Sequence, residues 1–156
     1  MSTHIYSSRG RTKQPKNIAR PHGSGLADHK TNGKVAVLPS GSALHETLES
    51  TTAGANGYDT QNQKYLHICM SQSTAHARSV DIYAYNRQFG TWGKLKVPVG
   101  EGATVDAAWV DAKIISDASA VTYQVIPIYG IDRVAFAAST GAGVGGLSLY
   151  VAGSTF

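Results

Sequence analysis

From residue 61 onward, apolar and polar residues alternate in short runs that recur about every ten residues, separated by turn-forming residues. A period of two sends successive side chains to opposite faces of a strand, and no helix satisfies it. Tyr65, His67 and Cys69 alternate with Leu66, Ile68 and Met70, and Val80, Ile82 and Ala84 alternate with Asp81, Tyr83 and Tyr85. Thr91 to Val97, Thr104 to Val110, Lys113 to Ser116, Ala120 to Ile128, Arg133 to Ser139 and Leu147 to Ala152 complete a set of about eight strands. Asn86 to Gly90, Gly100 to Gly102 and Gly141 to Gly143 suit the turns. The expected fold is all-β: a jelly-roll-like antiparallel β-sandwich over residues 61–156.

The first part of the chain is built differently. Residues 1–34 carry Arg9, Arg11, Lys13, Lys16, Arg20, Lys30 and Lys34 against the single acid Asp28, a balance of +6. The whole chain is +4, so the remainder is −2. Large apolar side chains are sparse in this stretch, and apolar burial is what offsets the entropy of ordering a chain. Residues 1–60 are therefore expected to form an extended basic arm followed by a transitional segment. In that segment Val35 to Leu38 suits a short strand, and Ala43 to Glu49 a strand or turn. Arg9, Arg11, Lys13, Lys16 and Arg20 are spaced along the arm, and Tyr6 is the only ring before Tyr58. Single-stranded nucleic acid is gripped by bases stacked on interleaved aromatics, so a docking role on an acidic protein surface fits better.

Composition narrows the class further. Charged residues make up 15% of the chain, below the roughly 25% of ordinary soluble domains. Gly, Ala, Ser and Thr dominate instead, which disfavours a coiled coil or charge-laced bundle. One cysteine, Cys69, excludes an intrachain disulfide framework and reads as a small buried hydrophobe. No apolar run is long enough for a membrane helix, and the first residues lack a signal-peptide core. Synthesis in a cytoplasm without a cleaved export signal is expected, with no membrane partner.

Candidate chemistry is thin. Gly141-Ala142-Gly143-Val144-Gly145-Gly146 matches the dinucleotide fingerprint in spelling, but a strand rather than a helix follows, with no acidic residue behind it. His67 and Cys69 share a strand face without further ligands at zinc-like spacing. No nucleophile elbow and no calcium loop occur, and Asp106, Asp111 and Asp117 read as surface carboxylates. The expectation is a non-enzyme with no catalytic residue, metal or cofactor. The aromatics carry more. Tyr83, Tyr85, Phe89 and Trp92 fall in one hairpin, where Tyr83, Tyr85 and Trp92 suit a subunit or lattice contact. The same rings would suit the stacking platform of a glycan-binding module.

The strands Gly130-Ile131-Asp132-Arg133-Val134-Ala135-Phe136 and Leu147-Ser148-Leu149-Tyr150-Val151-Ala152-Gly153, behind a basic arm in a cysteine-poor chain, resemble a known pattern. It is that of small accessory virion proteins of tailed bacteriophages, in particular capsid decoration (cement) proteins. The resemblance covers roughly residues 61–156. It implies a homo-oligomeric β-sandwich, often a trimer, on the outside of the virion, bound to several major capsid protein subunits and stabilising the shell. It also implies arms that reach along the capsid. A head-to-tail connector or tail component has a similar composition, and a glycan-binding appendage for host adhesion is the rival from another class.

Overall fold

The computed structural model describes residues 33–46, 52–73, 78–99, 109–116, 121–139 and 143–155. They form β1 (Lys34–Val35), β2 (Tyr58–Asp59), β3 (Tyr65–Gln72), β4 (Arg78–Asn86), β5 (Thr91–Lys94), β6 (Lys96–Pro98), β7 (Trp109–Asp111), β8 (Lys113–Ser116), β9 (Val121–Pro127), β10 (Arg133–Ala138) and β11 (Leu147–Ser154). The named strands pair antiparallel, and no helix occurs among the described residues. The first sheet has the order β1-β11-β3-β9. The second has the order β2-β10-β4-β5, with β8 also paired to β4, and β6 with β7 makes a separate ribbon.

The all-β expectation holds, and alternation explains the core. Leu66, Ile68 and Met70 of β3, with Leu149 and Val151 of β11, point inward from the first sheet. They meet Val80 and Ile82 of β4, Ile114 of β8, and Val134 and Phe136 of β10. Each such side chain contributes about 1.5–3 kcal/mol when fully buried. Phe136 is the largest of the wholly buried residues and packs its ring 6.3 Å from that of Tyr58.

The strand expected over Thr91 to Val97 is cut in two, for a reason that lies in β4. The nine-residue β4 is served on one side by two partners: β8 pairs with Arg78 to Asp81, and β5 with Tyr83 to Asn86. At the changeover three residues share their backbone bonds. Ile82 N–H donates to the Ala112 carbonyl (3.2 Å), Leu95 N–H to Ile82 (2.8 Å), and Ala112 N–H to Leu95 (2.7 Å). The run from Thr91 to Val97 therefore breaks at Leu95, and the run through Trp109 to Ser116 breaks at Ala112. Beyond the break, β6 and β7 leave the sheet together. Residues 104–108 of the expected fourth strand, and the turn at 100–102, lie outside the described residues.

Residues 33–60 are built into the sandwich. β1 extends the first sheet along β11, and β2 extends the second along β10. Strands thus stand on both sides of the expected seam at residue 60. The strand expected over Val35 to Leu38 shortens to Lys34–Val35, because the chain then crosses to the second sheet, where Leu38 bridges Ala137. Ala43 to Glu46 is irregular chain, and residues 47–49 lie outside the described set. So do Arg9, Arg11, Lys13, Lys16 and Arg20.

Candidate functional site

Three surfaces come into question, and the first is where Tyr83, Tyr85 and Trp92 sit. Register places Tyr85 opposite Trp92 and Tyr83 opposite Lys94, all on the outward face of the second sheet. The turn between the strands is closed by Asn86, whose carbonyl accepts the Gly90 N–H (3.0 Å), with Gly90 at φ +67°. Tyr85 and Trp92 come together, ring centroids 5.3 Å apart. Arg133 of the adjacent β10 lies over both, 4.0 Å from the Tyr85 ring and 5.3 Å from the Trp92 ring. Sequence reasoning did not single out Arg133; its position directly across from Tyr85 emerges only once β10 is paired to β4.

This cluster is occupied by the chain itself. Trp92 Nε1 donates to the His45 carbonyl (3.0 Å), and Arg133 donates to the carbonyls of Asn56 (2.7 Å) and Glu46. Gly57 sits against the indole: a Cβ there would lie 2.4 Å from Trp92 Cη2 and 3.0 Å from the Val134 carbonyl. Tyr83 goes elsewhere on the same face, packed with Leu38, Ala55, Ala137 and Leu44. From the inward side, where it packs against the core, Tyr58 OH accepts the Ala36 N–H at 2.8 Å; burial pushes its phenol up and that bond partly offsets the rise. Residues 36–46 and 52–57 therefore cover much of the outward face of the second sheet. Asp81, also on that face, is 5% exposed and takes Ser139 Oγ (2.7 Å), Lys94 Nζ (3.0 Å) and Lys113 Nζ (3.7 Å). Burial raises its carboxyl, but Ser139 and Lys94 outweigh that and hold it below the ordinary aspartate value.

The second surface is the outward face of the first sheet. A shallow groove of about 480 Å³ runs over it, lined by His67, Cys69, Tyr123, Val125, Tyr150 and Ala152 among others. Cys69 is half-buried here rather than in the core, because the inward places of β3 belong to Leu66, Ile68 and Met70. Register aligns it between Tyr150 and Tyr123, and its contact with the Tyr123 hydroxyl raises that phenol. His67 shares the face, with Nε2 2.8 Å from Ser154 Oγ. Among the described residues no group of three or more His, Cys, Asp or Glu is placed to hold a metal.

A third surface is a polar cleft of about 620 Å³ at one end of the sandwich, lined by Asn62, Arg87, Gln88, Tyr129 and Asp132 among others. Asp132 closes one wall: Arg87 donates to it through Nε (3.2 Å) and through its backbone N–H (2.7 Å). Tyr129 is 58% exposed and donates to Tyr65 OH with the rings edge to face.

No helix of the described chain is long and apolar enough to cross a membrane. In comparisons with family models, curated proteins and solved structures, nothing matches this chain.

Proposed function

We propose that this chain is a non-enzymatic structural protein of a tailed-phage virion, a decoration protein that binds the outside of the major capsid protein lattice and stabilises the shell. The basic N-terminal segment is its anchor, and the sandwich is the body that packs against its own copies. The observation that carries the reading is the division of charge: +6 in residues 1–34 against −2 in a sandwich whose first sheet turns an uncharged apolar groove outward. A spaced cationic segment gains affinity through many weak contacts rather than one pocket, as a protein spread along a lattice requires.

Neutralising the anchor in the full chain tests this. With Arg9, Arg11, Lys13, Lys16 and Arg20 all changed to Gln, co-sedimentation with capsid shells should weaken by roughly tenfold or more, at about 0.2–1 kcal/mol per exposed charge pair. The melting temperature should not move. Shell binding equal to that of the unaltered protein refutes the anchor.

A saccharide-binding reading has a specific support of its own, away from the hairpin rings. Tyr129 (58% exposed) stands at the polar cleft, and Phe89 (79% exposed) lines the adjoining depression with it. An exposed ring beside amide and carboxylate groups suits the apolar face and hydroxyl rim of a sugar. Saccharide binding lost on Tyr129→Ala, with shell attachment intact, favours that reading.

A further inference from the structure

We infer that a second copy of this chain joins the first sheet at β9, each β9 pairing antiparallel with its counterpart across a two-fold axis at Tyr123. The inference stands apart from the virion reading, since it concerns what the chain does with itself whatever it attaches to.

The faces of β9 come first. Its residues divide into Val121, Tyr123 and Val125 on one side and Thr122, Gln124 and Ile126 on the other. An amphipathic strand at the edge of a monomer turns the more apolar set inward. Here the ladder with β3 does the reverse: Val121, Tyr123 and Val125 face outward at 56%, 79% and 57% exposure. Tyr150 and Cys69 continue that apolar surface on the neighbouring strands.

The open edge points the same way. β9 ends the first sheet, with β3 its only sheet neighbour among the described residues. The Ile128 N–H donates to the Lys64 carbonyl at 2.8 Å in the same register as the β3–β9 ladder, which sets its phase. In an antiparallel ladder alternate residues exchange both bonds with one neighbour. Even-numbered residues of β9 therefore bond to β3, and Val121, Tyr123 and Val125 present their N–H and C=O to the open side. The pairing runs one for one from Val121 to Pro127, with no bulge and no charge to blunt the edge, and only the terminal Pro127 lacks a donor.

Charge selects the occupant. A two-fold axis sets a strand against itself, so any charge on it meets its own kind; β9 has none. Centred on Tyr123, the pairing sets Val121 against Val125 of the second copy, and each outward pair exchanges two backbone bonds. The longest segment outside the described residues, 1–32, joins the sheet at β1, the opposite edge, about 14 Å away at three strand spacings. Its positive charge finds no partner here, because β3, β9 and β11 contain no Asp or Glu. Antiparallel self-pairing demands a two-fold axis, so a trimer would have to use a different surface.

The test uses the full chain. Sedimentation equilibrium should show a concentration-dependent dimer, and Val125→Lys, at an exposed site that leaves the fold intact by circular dichroism, should raise its dissociation constant tenfold or more. In a Cys69→Ser background, Tyr123→Cys should form a disulfide-linked dimer on mild oxidation. Val121→Cys should not, since its counterpart lies four residues along the strand, beyond disulfide reach. A monomer at all concentrations, a trimer indifferent to Val125→Lys, or equal cross-linking at both positions overturns the inference. So does a monomer whose Tyr123→Cys thiol is shielded from maleimide, which assigns the face to the N-terminal segment.

Discussion

The two outward faces of the sandwich start from the same alternation and end differently. On the second sheet, Tyr83, Tyr85 and Trp92 lie beneath residues of the chain's own 36–46 and 52–57 segments, pinned by carbonyls of His45, Glu46 and Asn56. On the first sheet, Tyr123, Val125 and Val121 have no such cover among the described residues and are more than half exposed. The difference does not lie in the strands, which are comparably aromatic and β-branched. It lies in what the donors of each face hold. Trp92 Nε1 and the Arg133 guanidinium tie down backbone carbonyls of His45, Asn56 and Glu46, whereas on the first sheet His67 meets Ser154 and the Tyr123 hydroxyl meets Cys69, within the sheet itself.

The largest effect should come from lifting the cover. Gly57 has φ +72°, and any Cβ would strike the indole of Trp92 and the Val134 carbonyl. Gly57→Ala should cost about 2–3 kcal/mol, combining left-handed backbone strain with overpacking, read by chemical denaturation with Trp fluorescence. Stability unchanged by this substitution would mean the loop is not held as described.

A somewhat smaller effect is expected at Asp81. Asp81→Ala should cost about 2 kcal/mol, less than for a fully buried pair because the Lys94 and Lys113 ammoniums reach water. The same group gives a pH dependence. Its folded-state carboxyl titrates below the unfolded one, so its contribution is complete above the ordinary aspartate value and fades as pH falls from about 4 through the lower folded value. Acid titration of the melting temperature should show that loss in the unaltered protein and a shallower one in Asp81→Ala.

The smallest effect belongs to the open face. Val125→Thr, measured in dilute solution where one copy stands alone, should change stability by no more than about 0.5 kcal/mol. A large loss there would show that the two faces are not as different as they look.

Much of the fold was legible because period two survives in β3, β4, β10 and β11, where Leu, Ile, Met, Val and Phe take the inward places. The faces of β9 were not legible. Its apolar set is the wrong one for a lone sandwich, and only pairing with β3 fixes which way it points. Cys69 could have been placed outward from its alternation with Leu66, Ile68 and Met70, had the run not looked apolar throughout. The aromatic hairpin was visible in the sequence, but Arg133 and Gly57 are 41 and 35 residues from Trp92, a distance no local pattern crosses. The same holds for the break at Leu95, which depends on two strands competing for one edge of β4, whereas the break at Ala112 was legible between runs ending at Val110 and starting at Lys113.

That break has a consequence for how the protein tolerates change. On one side of it, Lys94 and Lys113 are in fixed register with Asp81, so inserting a single residue before Leu95 would carry a cation away from its carboxylate and turn the following side chains over. On the other side, β6 and β7 pair only with each other among the described residues. Val97 of β6 packs against the core and Asp111 of β7 faces Lys94, so lengthening in matched steps past Val97 keeps these contacts, which makes that outer end the natural place to graft a foreign peptide onto this scaffold.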